Sequence, residues 1–225
     1  MTSIIITGTD TGIGKTWVSL ALMQGFKNLG EQVLGMKPVS SGCETEDGQL
    51  RNEDALLIQA ACSKHVDYEL VNPYAFAPPV SPHAAAEEAG VSIGLERILE
   101  SYNILERQSD RVVIEGVGGW RVPFSNELSL KDLALELNLP VVMVVGMKLG
   151  CINHALLTAQ AIMADGVQMK GWVANQIEPD YLMPDSTLET LQSAIQAPLL
   201  GVTPGLERLE SDKLAEAISV DVLID

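Results

Sequence analysis

With 225 residues, 47% of them hydrophobic, the chain is long enough for one sizeable α/β domain with a developed core. It carries 30 acidic residues against 14 basic ones, and the resulting formal net charge of -16 repels nucleic acid and anionic lipid surfaces at long range. We therefore predict a single domain over residues 1–225, with no nucleic acid and no membrane among its partners.

The first predicted element is a short apolar strand that runs into the glycine-rich stretch GTDTGIGKT at residues 8–16, followed by an amphipathic helix over 17–29. In this order the three elements form a phosphate-binding loop, because backbone N–H groups and the helix dipole converge on one concavity. Thr9 stands where the strict Walker A pattern has glycine, so the match is a variant. Lys15 is expected to reach the terminal phosphates, and the Thr16 hydroxyl to bind a Mg2+ that bridges two of them. A glycine-rich turn with a surface lysine is the weaker alternative.

A second strand is predicted over residues 32–36, and Lys37 follows it directly. Ligands of open parallel sheets gather at the carboxyl ends of the strands, where Lys37 would lie beside the phosphate loop. A solvated surface lysine is the other interpretation.

The next stretch mixes loops with short helices. A polar loop is predicted over 44–49, after which Asn52 caps a helix that extends to residue 63. Asp54, in the first turn of that helix, either complements the helix dipole or faces a metal ion. Residues 72–82 are proline-rich and irregular, as an active-site loop can be, and His83 fits a helix start better than a catalyst.

An acidic residue follows the next strand. A surface helix is predicted over 91–108 and a buried strand over 111–114, which ends in Glu115 and the glycine-rich residues 116–119. This is the position of a Walker B carboxylate, although a glutamate replaces the commoner aspartate. Acids at buried strand ends need a partner, so a Mg2+ ligand is favoured over a purely structural role.

Strands and helices continue to alternate along the rest of the chain. We predict a helix over 128–139, a strand over 140–146, a helix led by 147–154 and ending near 165, a strand over 171–175, a helix over 186–195, a strand over 198–204, and a closing helix with a frayed end over 207–225. This alternation predicts a doubly wound, mostly parallel sheet flanked by helices, of the kind found in P-loop NTPases.

The cysteines and histidines suggest no structural metal or disulfide framework. Cys43, Cys62 and Cys151 form no CxxC pair and are expected to be free thiols, as in a cytoplasmic enzyme. The three histidines share no zinc-ligand spacing. The N-terminus has neither the basic head nor the apolar stretch of a secretory signal, so we expect a cytoplasmic protein.

Nine short motifs occur along the chain. Each alone is a weak indication of a family, but their joint order is highly specific. They are GTDTGIGKT at 8–16, KPVSSG at 37–42, RNED at 51–54, NPY at 72–74, SPH at 81–83, EGVGGW at 115–120, VGMKLGCINH at 145–154, GWVAN at 171–175 and APLLG at 197–201. With these motifs the chain closely resembles the dethiobiotin synthetase family over nearly its whole length.

The resemblance implies an ATP-dependent cyclo-ligase that turns 7,8-diaminononanoate and carbon dioxide into dethiobiotin, the penultimate step of biotin synthesis. One substrate amine takes up carbon dioxide as a carbamate, and ATP phosphorylates the carbamate oxygen to a carbamic-phosphoric anhydride. The second amine then attacks the activated carbon, closes a cyclic urea and expels phosphate. ADP is the other product.

The resemblance also implies roles for individual residues. The catalytic set is Lys37, Lys15 and Thr11, and Lys37 offsets negative charge on the carbamate and the γ-phosphate. Thr16, Asp54 and Glu115 are implied to hold Mg2+. The implied nucleotide site comprises Gly12, Ile13, Gly14, Lys15, Thr16, Trp17, Asp54, Glu115, Gly118, the adenine-reading Asn175, and Pro204, Gly205 and Leu206, which close over the base.

The implied substrate site is shared between two subunits of a homodimer. Thr11, Lys37 and Ser41 lie near the reacting diamine, and the substrate carboxylate binds the helix start formed by Gly150, Cys151, Ile152 and Asn153 of the neighbouring subunit. An anion at a helix N-terminus is physically reasonable.

Two positions depart from the family pattern. Thr187 stands where a tyrosine contacts the substrate carboxylate, so either Tyr181 substitutes for it or that contact is absent. Gly205 replaces a tryptophan, which thins the wall around the base and leaves room for other nucleoside triphosphates.

Two rival functions share the phosphate loop. A partitioning-type ATPase switch carries a signature lysine early in the loop, where this chain reads Gly8-Thr9-Asp10. An amidating synthase that uses ammonia is similar in its loop, but the glutaminase domain expected beside it has no counterpart in the motifs found. Both are therefore disfavoured.

Overall fold

The computed structural model describes residues 2–178 and 180–224. Its strands, in chain order, are β1 (Ile4–Gly8), β2 (Val33–Met36), β3 (Val39–Ser40), β4 (Glu44–Glu46), β5 (Gln49–Arg51), β6 (Tyr74–Ala75), β7 (Arg111–Glu115), β8 (Val141–Met147), β9 (Met169–Gln176) and β10 (Leu199–Thr203).

The helices cover both faces of the main sheet and follow the strands in the alternation that the sequence predicts. They are α1 (Lys15–Asn28), α2 (Glu53–Ala61), α3 (Tyr68–Val71), α4 (Pro82–Glu88), α5 (Leu95–Glu106), α6 (Leu130–Leu137), α7 (Cys151–Ala164), α8 (Pro184–Ala194) and α9 (Ser211–Glu216), with a 3-10 turn at Asp221–Leu223. None of the helices in the described ranges combines the length and apolar character that a membrane crossing requires.

Six strands form the central sheet in the order β10, β9, β8, β1, β7, β2, and each neighbouring pair is parallel. The predicted doubly wound parallel sheet is therefore confirmed. Strands β1, β7 and β8 are buried along their full length, because helices cover both faces of a parallel sheet. Ile6 of β1 pairs with Glu115 of β7, so the two strands end side by side and the loops that follow them meet at one edge.

The stretch predicted as a polar loop over 44–49 is a β-hairpin instead. Strands β4 and β5 pair antiparallel across Asp47 and Gly48, whose φ angles of 49° and 79° both lie in the left-handed region. An Asp-Gly pair favours this two-residue turn, so the signal was present in the sequence. The hairpin is exposed and carries no apolar alternation, which is why its polar residues suggested a loop.

Residues 72–82 are less irregular than predicted. The pair Tyr74–Ala75 forms β6, which lies parallel to β3, and α4 begins at Pro82. Two-residue strands have no periodicity to read, so only the structure reveals this small second sheet.

The predicted closing helix exists as α9, but over the described residues up to 224 the chain after it packs through Leu223 and is not frayed. Leu223 is buried, and its carbonyl oxygen accepts a hydrogen bond of 2.9 Å from Nη1 of Arg111. The described tail therefore packs beside the first residues of β7. The acidic composition of the segment hid the apolar side chains that hold it in place.

Candidate active site

The phosphate loop joins β1 to α1 and depends on two glycines. Gly12 and Gly14 have φ angles of 71° and 79°, in the left-handed region that residues other than glycine rarely adopt. Gly14 is the N-cap of α1. A Cβ atom at Gly14 would also collide with the side-chain amide of Asn175. No side chain caps the helix at Gly14, so the backbone N–H groups of its first turn remain available to an anion.

Lys15 folds back across this loop. It is largely buried, and its Nζ donates a 2.8 Å hydrogen bond to the carbonyl oxygen of Asp10. Burial lowers the pKa of Lys15 to about 8, with the carboxylate of Glu115 opposing the shift and the ammonium of Lys37 adding to it. Among the residues that the structure describes, no carboxylate lies at hydrogen-bond distance from the Lys15 ammonium, so its charge is available to an anion such as a phosphate.

A second contact fixes the outer part of the loop. Lys148, in the connection between β8 and α7, places its Nζ 3.1 Å from Oδ2 of Asp10. This hydrogen bond is the main reason that the pKa of Asp10 lies below its usual value. Both residues lie in motifs of the sequence, but their pairing was not predicted, because it spans 138 positions along the chain.

Lys37 lies between two carboxylates. Its Nζ is 2.6 Å from Oδ2 of Asp54 and 2.7 Å from Oε1 of Glu115. The side chains of Lys37 and Glu115 are almost completely buried, whereas that of Asp54 is 42% exposed and faces the cavity. Lys37 is therefore not the solvated surface lysine that the sequence left open, and Asp54 does more than complement a helix dipole.

Lys37 and Asp54 have pKa values that their surroundings shift in opposite directions. Burial acts to lower the pKa of Lys37, but the carboxylates of Glu115 and Asp54 outweigh it and raise the pKa above the usual lysine value. Burial acts to raise the pKa of Asp54, and the Lys37 ammonium outweighs it in the opposite direction. At neutral pH Lys37 is therefore charged and Asp54 is ionised.

Two hydroxyl groups of α1 complete the surroundings of Glu115. Thr16 donates to Oε1 at 2.9 Å and Ser19 to Oε2 at 2.8 Å. Ser19 was not predicted, although its spacing of three residues from Thr16 places both on one face of the helix. Each oxygen of the buried carboxylate is thereby satisfied.

One cavity of about 670 Å³ lies at the carboxyl edge of the central sheet. The predicted residues that line it are Thr11, Gly12, Gly14, Lys15, Thr16, Trp17, Lys37, Ser41, Asp54, Glu115, Gly118, Asn175, Pro204, Gly205 and Leu206. Lining residues that the sequence did not indicate are Asn52, Val117, Gln176, Ile177 and Glu207. Asn52 and Val117 lie within motifs that gave them no individual binding role, and the other three follow no motif.

Asn175 closes the cavity at the end away from Lys37. Its Nδ2 donates to the carbonyl oxygen of Ile13 at 2.7 Å, and its Oδ1 accepts a hydrogen bond from the hydroxyl of Thr203. Ile13, which the resemblance places in the nucleotide site, is fully buried and is not among the residues that line the cavity. The amide of Asn175 thus connects β9 and β10 to the phosphate loop.

The predicted substrate-carboxylate residues lie outside this cavity. Gly150, with a φ of 91°, is the N-cap of α7, and Cys151, Ile152 and Asn153 form its first turn. Near them the Tyr181 hydroxyl lies 2.8 Å from that of Thr187 and 3.8 Å from Sγ of Cys151. Tyr181 therefore reaches both the helix start and the position where the family has its tyrosine.

The side chains that could bind a metal ion in this cavity offer oxygen atoms as ligands. The Thr16 hydroxyl and the carboxylates of Asp54 and Glu115 are hard donors of the kind that Mg2+ prefers, and the Lys37 ammonium between them shows that the pair accepts a cation. Over residues 2–178 and 180–224 no three His, Cys, Asp or Glu side chains converge as a preformed metal site. The three cysteines are free thiols.

Comparison with known proteins identifies close relatives. A family model described as an AAA domain matches residues 2–213. An ATP-dependent dethiobiotin synthetase of Aromatoleum aromaticum is 47% identical over 95% of each chain, and one of Pseudomonas aeruginosa is 46% identical over 99% of this chain and 97% of its own. One of Xanthomonas axonopodis pv. citri is 48% identical over 88% of this chain and 89% of its own.

Solved structures with the same fold are much more distant in sequence. The MinD cell division protein of Aquifex aeolicus has a TM-score of 0.57 at 16% identity, covering 98% of this chain and 88% of its own. A ParA family ATPase from Chlorobium tepidum has a TM-score of 0.56 at 14% identity, covering 100% of this chain and 93% of its own. Likeness at this level of identity shows the fold alone.

Proposed function

The chain belongs to the ATP-dependent dethiobiotin synthetase family of ligases, and from this premise we propose the reaction in detail. As a single domain over residues 1–225, the protein uses ATP and Mg2+ to join carbon dioxide to 7,8-diaminononanoate. It closes the cyclic urea of dethiobiotin and releases ADP and phosphate. The observation that carries the proposal is the charged Lys37, held between Asp54 and Glu115 in the cavity that the phosphate loop also lines.

The phosphate loop would bind the nucleotide. Backbone N–H groups around Gly12 and Gly14 face the cavity, and Lys15 needs only to leave the carbonyl oxygen of Asp10 to reach a terminal phosphate. Thr16, Asp54 and Glu115 would hold Mg2+, which when bound supplies charge neutralisation to the phosphates.

The reacting centre would lie beside Lys37. A carbamate formed on one amine of the substrate is an anion, and its phosphorylation brings it against a polyphosphate. Lys37 and Lys15 place two cations at this point, which lowers the electrostatic cost of bringing the two anions together. Thr11 and Ser41 line the same cavity and would orient the diamine. The second amine then attacks the activated carbon, and phosphate leaves.

We further propose that a neighbouring copy completes the substrate site. The helix start at Gly150–Asn153 lies outside the cavity of its own chain, and Leu149 beside it is 90% exposed. A homodimer that covers Leu149 and Leu157 would bring one subunit's helix N-terminus to the carboxylate tail of a substrate bound in the other. Because its hydroxyl reaches Cys151, Tyr181 takes over the tail contact that Thr187 is too short to make.

The other end of the cavity would hold the nucleobase. Asn175 presents its amide there, while Pro204, Gly205 and Leu206 lie across from it. Gly205 leaves this wall thin, so we propose that nucleotides other than ATP are also accepted. The three free thiols fit our proposal that the enzyme works in the cytoplasm.

Oxygen tracing tests the proposed reaction sharply. If ATP phosphorylates a carbamate oxygen, bicarbonate labelled with oxygen-18 must deliver one labelled oxygen to the released inorganic phosphate. Mass spectrometry of the phosphate measures it, with unlabelled bicarbonate as the control. Unlabelled phosphate, formed alongside dethiobiotin under conditions that limit exchange with water, would refute the carbamic-phosphoric anhydride.

A further inference from the structure

A buried asparagine outside the catalytic cavity holds the backbone of Lys37. Asn72 is 3% exposed, and its Nδ2 donates to the carbonyl oxygen of Lys37 at 2.6 Å and to that of Tyr74 at 3.3 Å. The backbone N–H of Lys37 donates to the carbonyl oxygen of the preceding Val71 at 2.8 Å. Beyond the end of β2, both backbone polar groups of Lys37 are therefore bound by two consecutive residues of another segment.

The same asparagine connects to the helix that carries Asp54. Its Oδ1 accepts hydrogen bonds from Ser40 at 2.8 Å and from the hydroxyl of Tyr68 at 3.0 Å. That hydroxyl in turn accepts from the backbone N–H of Asn52 at 2.8 Å. Asn52 is the N-cap of α2, and its side chain accepts from the N–H of Ala55.

The network has little freedom to rearrange. All four hydrogen-bonding positions of the Asn72 amide are in use, and Ser40, Tyr68 and Asn52 are also buried. Burial raises the pKa of the Tyr68 phenol, so its hydroxyl keeps the proton that it donates to Asn72. A buried polar network that is fully satisfied fixes one arrangement of its surroundings.

We propose that Tyr68 and Asn72 are positioning residues that set the separation of Lys37 and Asp54. One arm of the network ends on the backbone of Lys37, and the other ends on the helix start two residues before Asp54. The backbone segments that carry Lys37 and Asp54, whose side chains are 2.6 Å apart, are therefore both held by the buried amide of Asn72. Neither Tyr68 nor Asn72 lies in contact with Lys37 Nζ, so they act through the backbone.

Replacing Tyr68 with phenylalanine removes only the hydroxyl group, and with it the hydrogen bonds that join Asn72 to α2. The ring remains in place, but the buried N–H of Asn52 loses its acceptor and α2 loses its link to Asn72. The matched control is Tyr102→Phe, which removes a buried hydroxyl that donates to Glu106 at 2.9 Å, on a helix outside the cavity. The two variants lose the same atom from comparably buried positions.

Crystal structures of the two variants provide the first measurement, which does not depend on the proposed function. We expect the distance between Lys37 Nζ and Asp54 Oδ2 to exceed 4 Å in Tyr68→Phe and to stay unchanged in Tyr102→Phe. The same distance in both variants would overturn the proposal, whatever reaction the protein catalyses.

Steady-state kinetics provide the second measurement and rest on the proposed function. We expect Tyr68→Phe to lower kcat for dethiobiotin formation about 10-fold, with KM for ATP changed less than about 2-fold, while Tyr102→Phe keeps both. Equal kcat in the two variants would overturn the proposal. A wild-type protein that makes no dethiobiotin would refute the proposed function alone, since the crystallographic comparison still decides the positioning role.

Discussion

Nζ of Lys37 lies 2.7 Å from Oε1 of Glu115, although the two residues are 78 positions apart in the chain. The contact exists because β2 and β7 are neighbours in the parallel sheet, so the residues at their carboxyl ends meet. Glu115 is 1% exposed, and a carboxylate so deeply buried needs a cation or several donors. Lys37 thus stabilises the buried Glu115 by an ion pair, and it also lines the cavity of the proposed reaction.

Substitutions can separate the structural role of Lys37 from its proposed catalytic role. Lys37→Met keeps most of the length of the side chain but leaves Glu115 without its cation. We therefore expect a loss of about 3 kcal/mol of unfolding free energy and a loss of at least about 100-fold in kcat. Adding Glu115→Gln removes the unpaired charge and should restore most of the stability without restoring turnover. Urea denaturation and product assays measure the two effects. A Lys37→Met protein with near-normal kcat would contradict the catalytic role.

Gly14 provides a second prediction. Alanine at this position adds left-handed strain and also drives Cβ into Asn175, so Gly14→Ala should abolish measurable ATP binding in calorimetry. Gly90→Ala is the matched control: Gly90 has a φ of 65°, but a Cβ there meets nothing within 4 Å. It should cost about 1 kcal/mol of stability and leave ATP affinity unchanged. Equal ATP affinity in both variants would show that strain at Gly14 is tolerated.

Much of the site could be predicted because parallel sheets gather strand ends. The phosphate loop, Lys37 and Glu115 each follow a strand, so their convergence needs only the sheet order. Ser19, Lys148 and the Asn72 network could not be found in this way. Glu115 lies 96 positions from Ser19, Asp10 lies 138 positions from Lys148, and Lys37 lies 35 positions from Asn72. A serine, lysine or asparagine at such positions is ordinary.

The long elements of the fold could also be predicted from the sequence, and the short ones could not. Long apolar strands and amphipathic helices are visible in the sequence, whereas β3 and β6 are too short to show a period. The acidic tail was misread as frayed, because charge dominates its composition while Leu214 and Leu223 are buried.

The amide of Asn175 leads to a third prediction. Asn175→Ala removes the donor to the carbonyl oxygen of Ile13 and the proposed contact with the base, so we expect ATP affinity to fall about 10-fold. The affinity for GTP should fall less, so the ratio of the ATP affinity to the GTP affinity should decrease. Calorimetric titration with both nucleotides measures this, and Asn103→Ala, on the exposed face of α5, is the control. Parallel losses for ATP and GTP would assign Asn175 to loop support alone.

A fourth prediction concerns the tail. Arg111 contacts Glu31 at 2.7 Å, stacks over Phe26 and donates to the carbonyl oxygen of Leu223. Arg111→Met leaves Glu31 buried without its partner and should cost about 3 kcal/mol of unfolding free energy, together with faster proteolysis of the tail. Arg121, whose side chain is 60% exposed where it contacts Asp165, provides the control. Arg121→Met should cost less than about 1 kcal/mol, because Asp165 keeps its hydrogen bond from Trp120. A tail that stays equally resistant to protease in both variants would contradict its anchoring by Arg111.

The most direct test of the central claim is a single assay of the wild-type protein. ATP, Mg2+, bicarbonate and 7,8-diaminononanoate are supplied together, dethiobiotin is quantified by mass and ADP is measured in parallel. We predict one ADP for each dethiobiotin, with neither product formed when the diamine is omitted. ATP turnover that ignores the diamine and yields no cyclic urea would contradict the assignment and would leave only the phosphate loop and its fold.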